Sequence, residues 1–225
     1  MNTILHPPSS ILTPPTYPAR PINGGPLPNA RPKTGDWYYE PKYNGWRALV
    51  HVPTGTMFNR EGKRLSINGE FRKALDFLGR TINVADFPDH AWLDCEALER
   101  RHGIGRGTLI LLDYIPSPES HPSYRQRHDS LQGYCADGLI MYLAEPGRCE
   151  PDDVYLCPHI EDSGDGTPGG PFRMQVWEEL QAANKRLGVE FFEGLVAKRA
   201  DSLYPMQLRS PKEEFAGWMK HRWSY

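Results

Sequence analysis

The sequence predicts an α+β fold built on antiparallel sheets, and three observations carry that expectation. Short runs of apolar residues alternate with polar ones and are bounded by turn residues, the pattern of half-buried strands. Helical stripes are few, and strands do not alternate regularly with helices, which argues against a doubly wound parallel sheet. The 225 residues include 22 prolines and 21 glycines, so loops and turns are frequent.

The elements follow in order. Residues 1–34 are proline-rich and irregular and read as an extended N-terminal arm that lies on the body or is partly disordered. From Asp36 the pattern changes. WRALVHV puts Trp46, Ala48, Val50 and Val52 on one side of a strand, Pro53 to Gly55 turn the chain, and TMFNR returns as a hairpin. INGEFRKALDFLGR brings Phe71, Leu75 and Leu78 onto one helical face, with Gly79 as its stop. AWLDCEAL is a strand with Ala91, Leu93, Cys95 and Ala97 on one face and Trp92, Asp94, Glu96 and Leu98 on the other. TLILLDYI is apolar almost throughout, as a central strand is. Residues 116–130 and 150–171 break the rhythm, and the second reads as a mobile acidic loop. RMQVWEELQAANKRLG is the clearest helix, with Val176, Leu180, Ala183 and Leu187 as its stripe and Gly188 as its end. EFFEGLVAKRA and GWMKHRW are further strands.

Composition excludes several classes. The net charge of −2 is not that of a protein that coats nucleic acid, so a nucleic-acid partner needs a local basic patch. No apolar run reaches the roughly 18 residues of a membrane span, and the N-terminus lacks the layout of a signal peptide. A cytoplasmic protein without a membrane partner is the expectation. The four cysteines form no C-x-x-C pair, and Cys135, Cys149, Cys157 and His159 fit no zinc-finger spacing, so free thiols are expected. There is no Gly-rich phosphate loop of the G-x-G-x-x-G or Walker kind.

Polar residues stand out where packing alone would not put them. Asp94 and Glu96 share one face of an otherwise apolar strand, where carboxylates need a cation or a donor. Lys42, Lys198 and Lys220 each sit inside a strand-like apolar run, and Glu193 opens the run that Lys198 closes. With Arg47 and Arg60 they make a set suited to a polyphosphate and a divalent metal. A lysine amine attacks phosphorus only when deprotonated, a form favoured by neighbouring cations and partial burial. Further cations neutralise a leaving pyrophosphate, and carboxylates hold a hard metal ion.

These residues fall into a known order. Lys42-Tyr43-Asn44-Gly45 within EPKYNGWR, then LDCEAL, LILLDYI, EGLVAK and WMKHR resemble the five signature motifs of the covalent nucleotidyltransferases: ATP-dependent DNA ligases, RNA ligases and mRNA capping enzymes. FNREGKRL and KRADSLYPMQLRS resemble further ligase segments, and the likeness covers residues 36–225. It implies a ligase-type nucleotidyltransferase domain over residues 35–225, two antiparallel sheets flanked by helices, with the ATP site between them. It implies that Lys42 is the nucleophile that becomes linked to AMP. Glu40 would contact adenine, and Arg47 and Arg60 would hold ribose or phosphates. Glu96 would bind ribose or metal and Glu193 metal, while Lys198 and Lys220 would meet the α-phosphate and the leaving group. Leu112 stands where the family stacks an aromatic on adenine, and Asn44 where it has Asp. Glu193 and Lys198 have opposite strand parity, so both can face one nucleotide only if Gly194 is a bend or bulge.

The implied activity is that of a minimal ATP-dependent DNA ligase, using ATP and Mg2+ or Mn2+ to seal nicks in DNA, in repair or replication. RNA ligation, capping-type guanylyl transfer and a partner-dependent nucleotide-binding module are the alternatives. The sequence stops five residues after Lys220, so no C-terminal OB domain is expected within it, and a separate chain could supply that function. Lys63, Arg64, Arg72 and Lys73 would touch nucleic-acid phosphates or form a solvated face. A monomer is expected.

Overall fold

The computed structural model describes residues 20–21, 23–26, 36–98, 103–117, 119–136, 141–142, 153–162, 171–207 and 214–223. Most of the proline-rich arm and of the acidic loop after Asp162 lies outside them. The architecture is α+β, with two main sheets and three α-helices among the described residues.

The first main sheet holds β10 (Ile160–Asp162), β3 (Trp37–Tyr43), β11 (Phe192–Arg199), β13 (Glu214–Arg222) and β2 (Asn23–Pro26), in that spatial order. Its pairs are antiparallel except β13 with β2. The second holds β5 (Thr56–Phe58), β4 (Trp46–His51), β6 (Trp92–Ala97), β7 (Leu109–Tyr114), β9 (Val154–Leu156) and β8 (Met141–Tyr142). Its β5–β4–β6–β7 part is antiparallel, while β9 runs parallel to both β7 and β8. A short pair, β1 (Arg20–Pro21) with β12 (Met206–Gln207), completes the strands. The described pieces of the arm thus pair with the body.

The aromatic run of β3 is buried on both faces: Trp37 and Tyr39 pack with Ala197, and Tyr38 packs with Tyr124 and Ala200. Pro41 lies in this inner strand, where proline is tolerated near a bulge, and β11 carries a bulge one step along, opposite Lys42 and Tyr43. Alternation on β4 and β6 sends Ala48, Val50, Leu93, Cys95 and Ala97 into one core with α1 (Arg72–Thr81). Phe71, Ala74, Leu75 and Leu78 form the buried side of that helix. A second core joins Tyr43 and Leu195 of one sheet to Ile110 and Tyr155 of the other under α3 (Pro171–Leu187). The stripe expected of α3 is there, with Val176, Leu180 and Ala183 buried and Leu187 packed against them.

Three expectations are corrected. Gly79 lies inside α1, which runs on to Thr81 and is capped by the Ile82 N–H on the Leu78 carbonyl. Trp46 starts β4 and is 46% exposed rather than sharing the burial of Ala48 and Val50. The stretch read as a loop over 150–171 contains β9 and β10, and the irregular stretch 116–130, for which no element was expected, contains the start of α2 (Tyr124–Ala136). That helix escaped notice because its buried side includes Arg127 and His128 beside Tyr124 and Leu131, so no apolar stripe marks it. Cys95 and Cys157 are buried free thiols. Among the described residues no helix is long and apolar enough to cross a membrane.

Candidate active site

A cavity of about 490 Å3 opens between the two main sheets, walled by β3, β11 and β13 on one side and by β4, β6 and β7 on the other. Glu40, Lys42, Arg47, Arg60, Glu96, Leu112, Glu193, Lys198 and Lys220 all line it. All nine residues expected to contact nucleotide or metal therefore meet in one place.

Strand parity explains most of this. Glu40 and Lys42 alternate on β3, Val196 and Lys198 on β11, and Trp218, Lys220 and Arg222 on β13. Glu193 has the wrong parity and reaches the cavity through a bulge: the ladder with β3 slips between Phe192 and Gly194. Gly194 adopts φ +148°, and a Cβ there would lie 1.8 Å from the His221 carbonyl oxygen. The geometric condition set by the sequence is thus met. Gly45 allows a second close approach, since a Cβ on it would lie 2.6 Å from the Ala97 carbonyl oxygen. Its N–H donates to Glu96 Oε1 at 2.8 Å.

Lys42, Lys198 and Arg47 each have an acidic partner. Lys42 Nζ contacts Glu193 Oε1, which also accepts from Arg222 Nη2 at 3.1 Å. Lys198 Nζ pairs with Glu40 Oε1 at 2.8 Å and donates to the Leu112 carbonyl at 3.1 Å. Its charge also sits 4.4 Å from the Trp218 ring centre and 4.8 Å from that of Tyr124. Arg47 grips Asp94 with two N–H groups, and Tyr204 donates to the same carboxylate at 2.7 Å. Burial alone would lower the Arg47 pKa, but Asp94 more than offsets this and raises it.

The acids respond to burial. Desolvation raises the Glu40 pKa, against the pull of Lys198 and the Tyr124 hydrogen bond. Desolvation pushes Glu96 up to about 7, opposed by Lys42, the Gly45 N–H and Arg47. Glu96 and Glu193 flank Lys42, and no group of three or more His, Cys, Asp or Glu side chains with metal-ligand geometry occurs among the described residues. Two carboxylates suffice for an ion such as Mg2+, which keeps waters and takes phosphate oxygens for the rest of its shell. The residues fit a metal that arrives with a polyphosphate, not a standing metal centre.

Sequence reasoning missed three participants. Asp94 was singled out but given no site role, yet it holds Arg47, and its shared parity with Glu96 was the signal. Arg222 shares parity with Trp218 and Lys220 and could have been found the same way. Tyr124 carried no signal, because it lies on the overlooked α2. The acid of the third motif, Asp113, does not line the cavity. It forms a buried two-point pair with Arg127, at 2.8 and 3.0 Å, that ties β7 to α2. Lys63, Arg64, Arg72 and Lys73 are exposed.

No protein-family model and no curated protein matches this chain. Solved structures do match it. The ligase domain of M. tuberculosis LigD superposes with a TM-score of 0.51 at 18% identity, covering 91% of this chain and 59% of that one. Chlorella virus DNA ligase-adenylate gives 0.50 at 13% identity, covering 92% and 68%. The chain has the fold of a DNA ligase adenylation domain. A protein described as Pmar-Lig_Pre shares this adenylation-domain fold, with a TM-score of 0.51 at 17% identity over 90% of this chain and 47% of that one. The chain spans about half the length of the first solved structures it matches. In the adenylation-domain fold seen here, the sheet-to-sheet cleft is where the lysines and carboxylates converge.

Proposed function

We propose that this protein is an ATP-dependent DNA ligase acting through a lysyl-AMP intermediate at Lys42. The observation that carries the reading is the convergence of Lys42, Glu193, Glu96, Arg47, Lys198 and Lys220 on one cavity in a ligase-type fold. Lys42 Nζ attacks the α-phosphorus of ATP, a P–N bond forms, and the bond to pyrophosphate breaks. The ammonium proton must leave first, and Glu193 Oε1, in contact with Nζ, is the base in place to take it. Lys220 and Arg222, on the β13 wall, face the charge that develops on the departing phosphates. When bound, a divalent cation would be held by Glu96, Glu193 and phosphate oxygens and would neutralise part of that charge. Glu40, deep in the cavity wall, contacts the base, and Arg47, oriented by Asp94, contacts ribose or phosphate. AMP then passes from Lys42 to a DNA 5′-phosphate, and a 3′-hydroxyl displaces it to seal the nick.

The test is incubation with α-labelled ATP or GTP and Mg2+, followed by detection of labelled protein. Label from ATP that vanishes in Lys42→Ala is the expected result. Label from GTP alone would point to guanylyl transfer, and intact nucleotide binding without any label would overturn the enzymatic reading. Sealing of pre-adenylylated nicked DNA, compared with nicked RNA, then identifies the nucleic acid.

A further inference from the structure

Behind the cavity wall, α2 meets the nucleotide site at one side chain. Tyr124 is fully buried, and its hydroxyl donates to Glu40 Oε1 at 2.5 Å. A phenol has a single proton, so its oxygen is left to accept from His159 Nδ1 at 3.3 Å. His159 stacks on His128 with centroids 3.6 Å apart, and His128 Nε2 donates to the Cys157 carbonyl at 3.3 Å. A directed chain results, from the His159 N–H through the Tyr124 O–H to Glu40. Burial pushes His159 down to about 3, helped by His128, Lys198 and Arg125, and burial pushes His128 down to about 4. Both rings stay neutral near neutral pH, so the chain keeps its direction. Lys198 from β11 converges on the same Oε1, and Asp113 from β7 is the further charge that Glu40 feels. Two donors on one oxygen fix the orientation of the other, Oε2.

We propose that Tyr124 is a positioning residue for nucleobase recognition: with Lys198 it locks the Glu40 carboxylate so that Oε2 is aimed to accept from an exocyclic amine of the base. This rests on the reading of Glu40 as the base contact. Tyr124→Phe keeps the ring beside Lys198 and removes only the hydroxyl. ATP binding and inorganic tripolyphosphate binding are measured by calorimetry for the wild type, Tyr124→Phe, Glu40→Gln and the double variant, across about pH 5.5–8.5.

The expected result is that Tyr124→Phe weakens ATP binding ~10-fold and tripolyphosphate binding less than ~2-fold. The low-pH midpoint of ATP binding shifts upward, because the ionised carboxylate has lost a donor. In the Glu40→Gln background the same substitution changes ATP affinity less than ~3-fold. Unchanged ATP affinity, an equal loss for both ligands, or an equal loss in both backgrounds overturns the proposal and leaves the ligase reading standing. A wild type that binds neither ligand overturns that reading and this inference with it. Should Tyr124→Phe fail to fold, His159→Phe opens the chain at its other end while keeping a ring on His128. It must then weaken ATP selectively, by ~3-fold, for the proposal to hold.

Discussion

Lys42 and Glu193 touch because the β11 ladder slips by one residue between Phe192 and Gly194. In a regular strand Glu193 would point away from the lysine that it meets here. The contact therefore depends on a backbone irregularity and on the one residue type that tolerates it.

Gly194→Ala should break that arrangement. The added Cβ would collide with the His221 carbonyl of β13, at a positive φ that disfavours side chains. A loss of about 2–4 kcal/mol is expected in urea unfolding, together with loss of lysine labelling. Gly133→Ala, in α2 with open space around the new methyl, is the control and should raise stability by about 0.5–1 kcal/mol.

Glu96 should give the stability a pH slope. Its carboxyl is pushed up to about 7 in the folded protein from an ordinary 4.5, chiefly by burial. Between those values the native state holds more protons than the unfolded chain, so stability falls as pH rises. Glu96→Gln removes this loss. It should stabilise the protein by about 1–3 kcal/mol near pH 8 and have little effect near pH 4, measured by urea unfolding at both. Equal effects at the two pH values would contradict the assignment.

Arg47 owes its orientation to Asp94 and Tyr204. Tyr204→Phe should cost about 1.5–3 kcal/mol in thermal unfolding, one hydrogen bond to a buried carboxylate. Asp94→Asn weakens the two-point grip and should reduce lysine labelling ~10-fold at limiting ATP, with a smaller effect at saturation.

The Asp113–Arg127 pair is almost wholly removed from water. Arg127→Met leaves a buried carboxylate uncompensated and should cost about 3–5 kcal/mol. Adding Asp113→Leu should recover most of that. The remaining deficit reflects the Pro122 and Ser202 carbonyls that Arg127 also serves. A double-mutant cycle on chemical unfolding measures the coupling.

Much of the site was legible in the sequence because strand parity is a simple rule. Lysines and acids embedded in apolar runs had to face something other than core, and six of them, Lys42, Asp94, Glu96, Glu193, Lys198 and Lys220, line one cavity. The need for a bulge at Gly194 followed from the same rule. Legibility failed where burial is polar. Arg127, His128 and Tyr124 pack inward on α2 through ion pairs and hydrogen bonds, and a search for apolar stripes passes over such a helix. Gly79 misled for another reason: a glycine costs a helix about 1 kcal/mol but does not end it when the turn beyond is held by packing.

The pairing of β2 with β13 has a consequence for how the molecule behaves among its own copies. β2 runs along β13 with Glu214 opposite Asn23 and Lys220 opposite Pro26. Stripped of it, β13 would offer a row of open amides and carbonyls to any passing chain, which is how strands recruit strangers and aggregates grow. The segment that covers this row is Asn-Gly-Gly-Pro, four residues long and made of poor strand formers. It ends the sheet without inviting another strand to extend it.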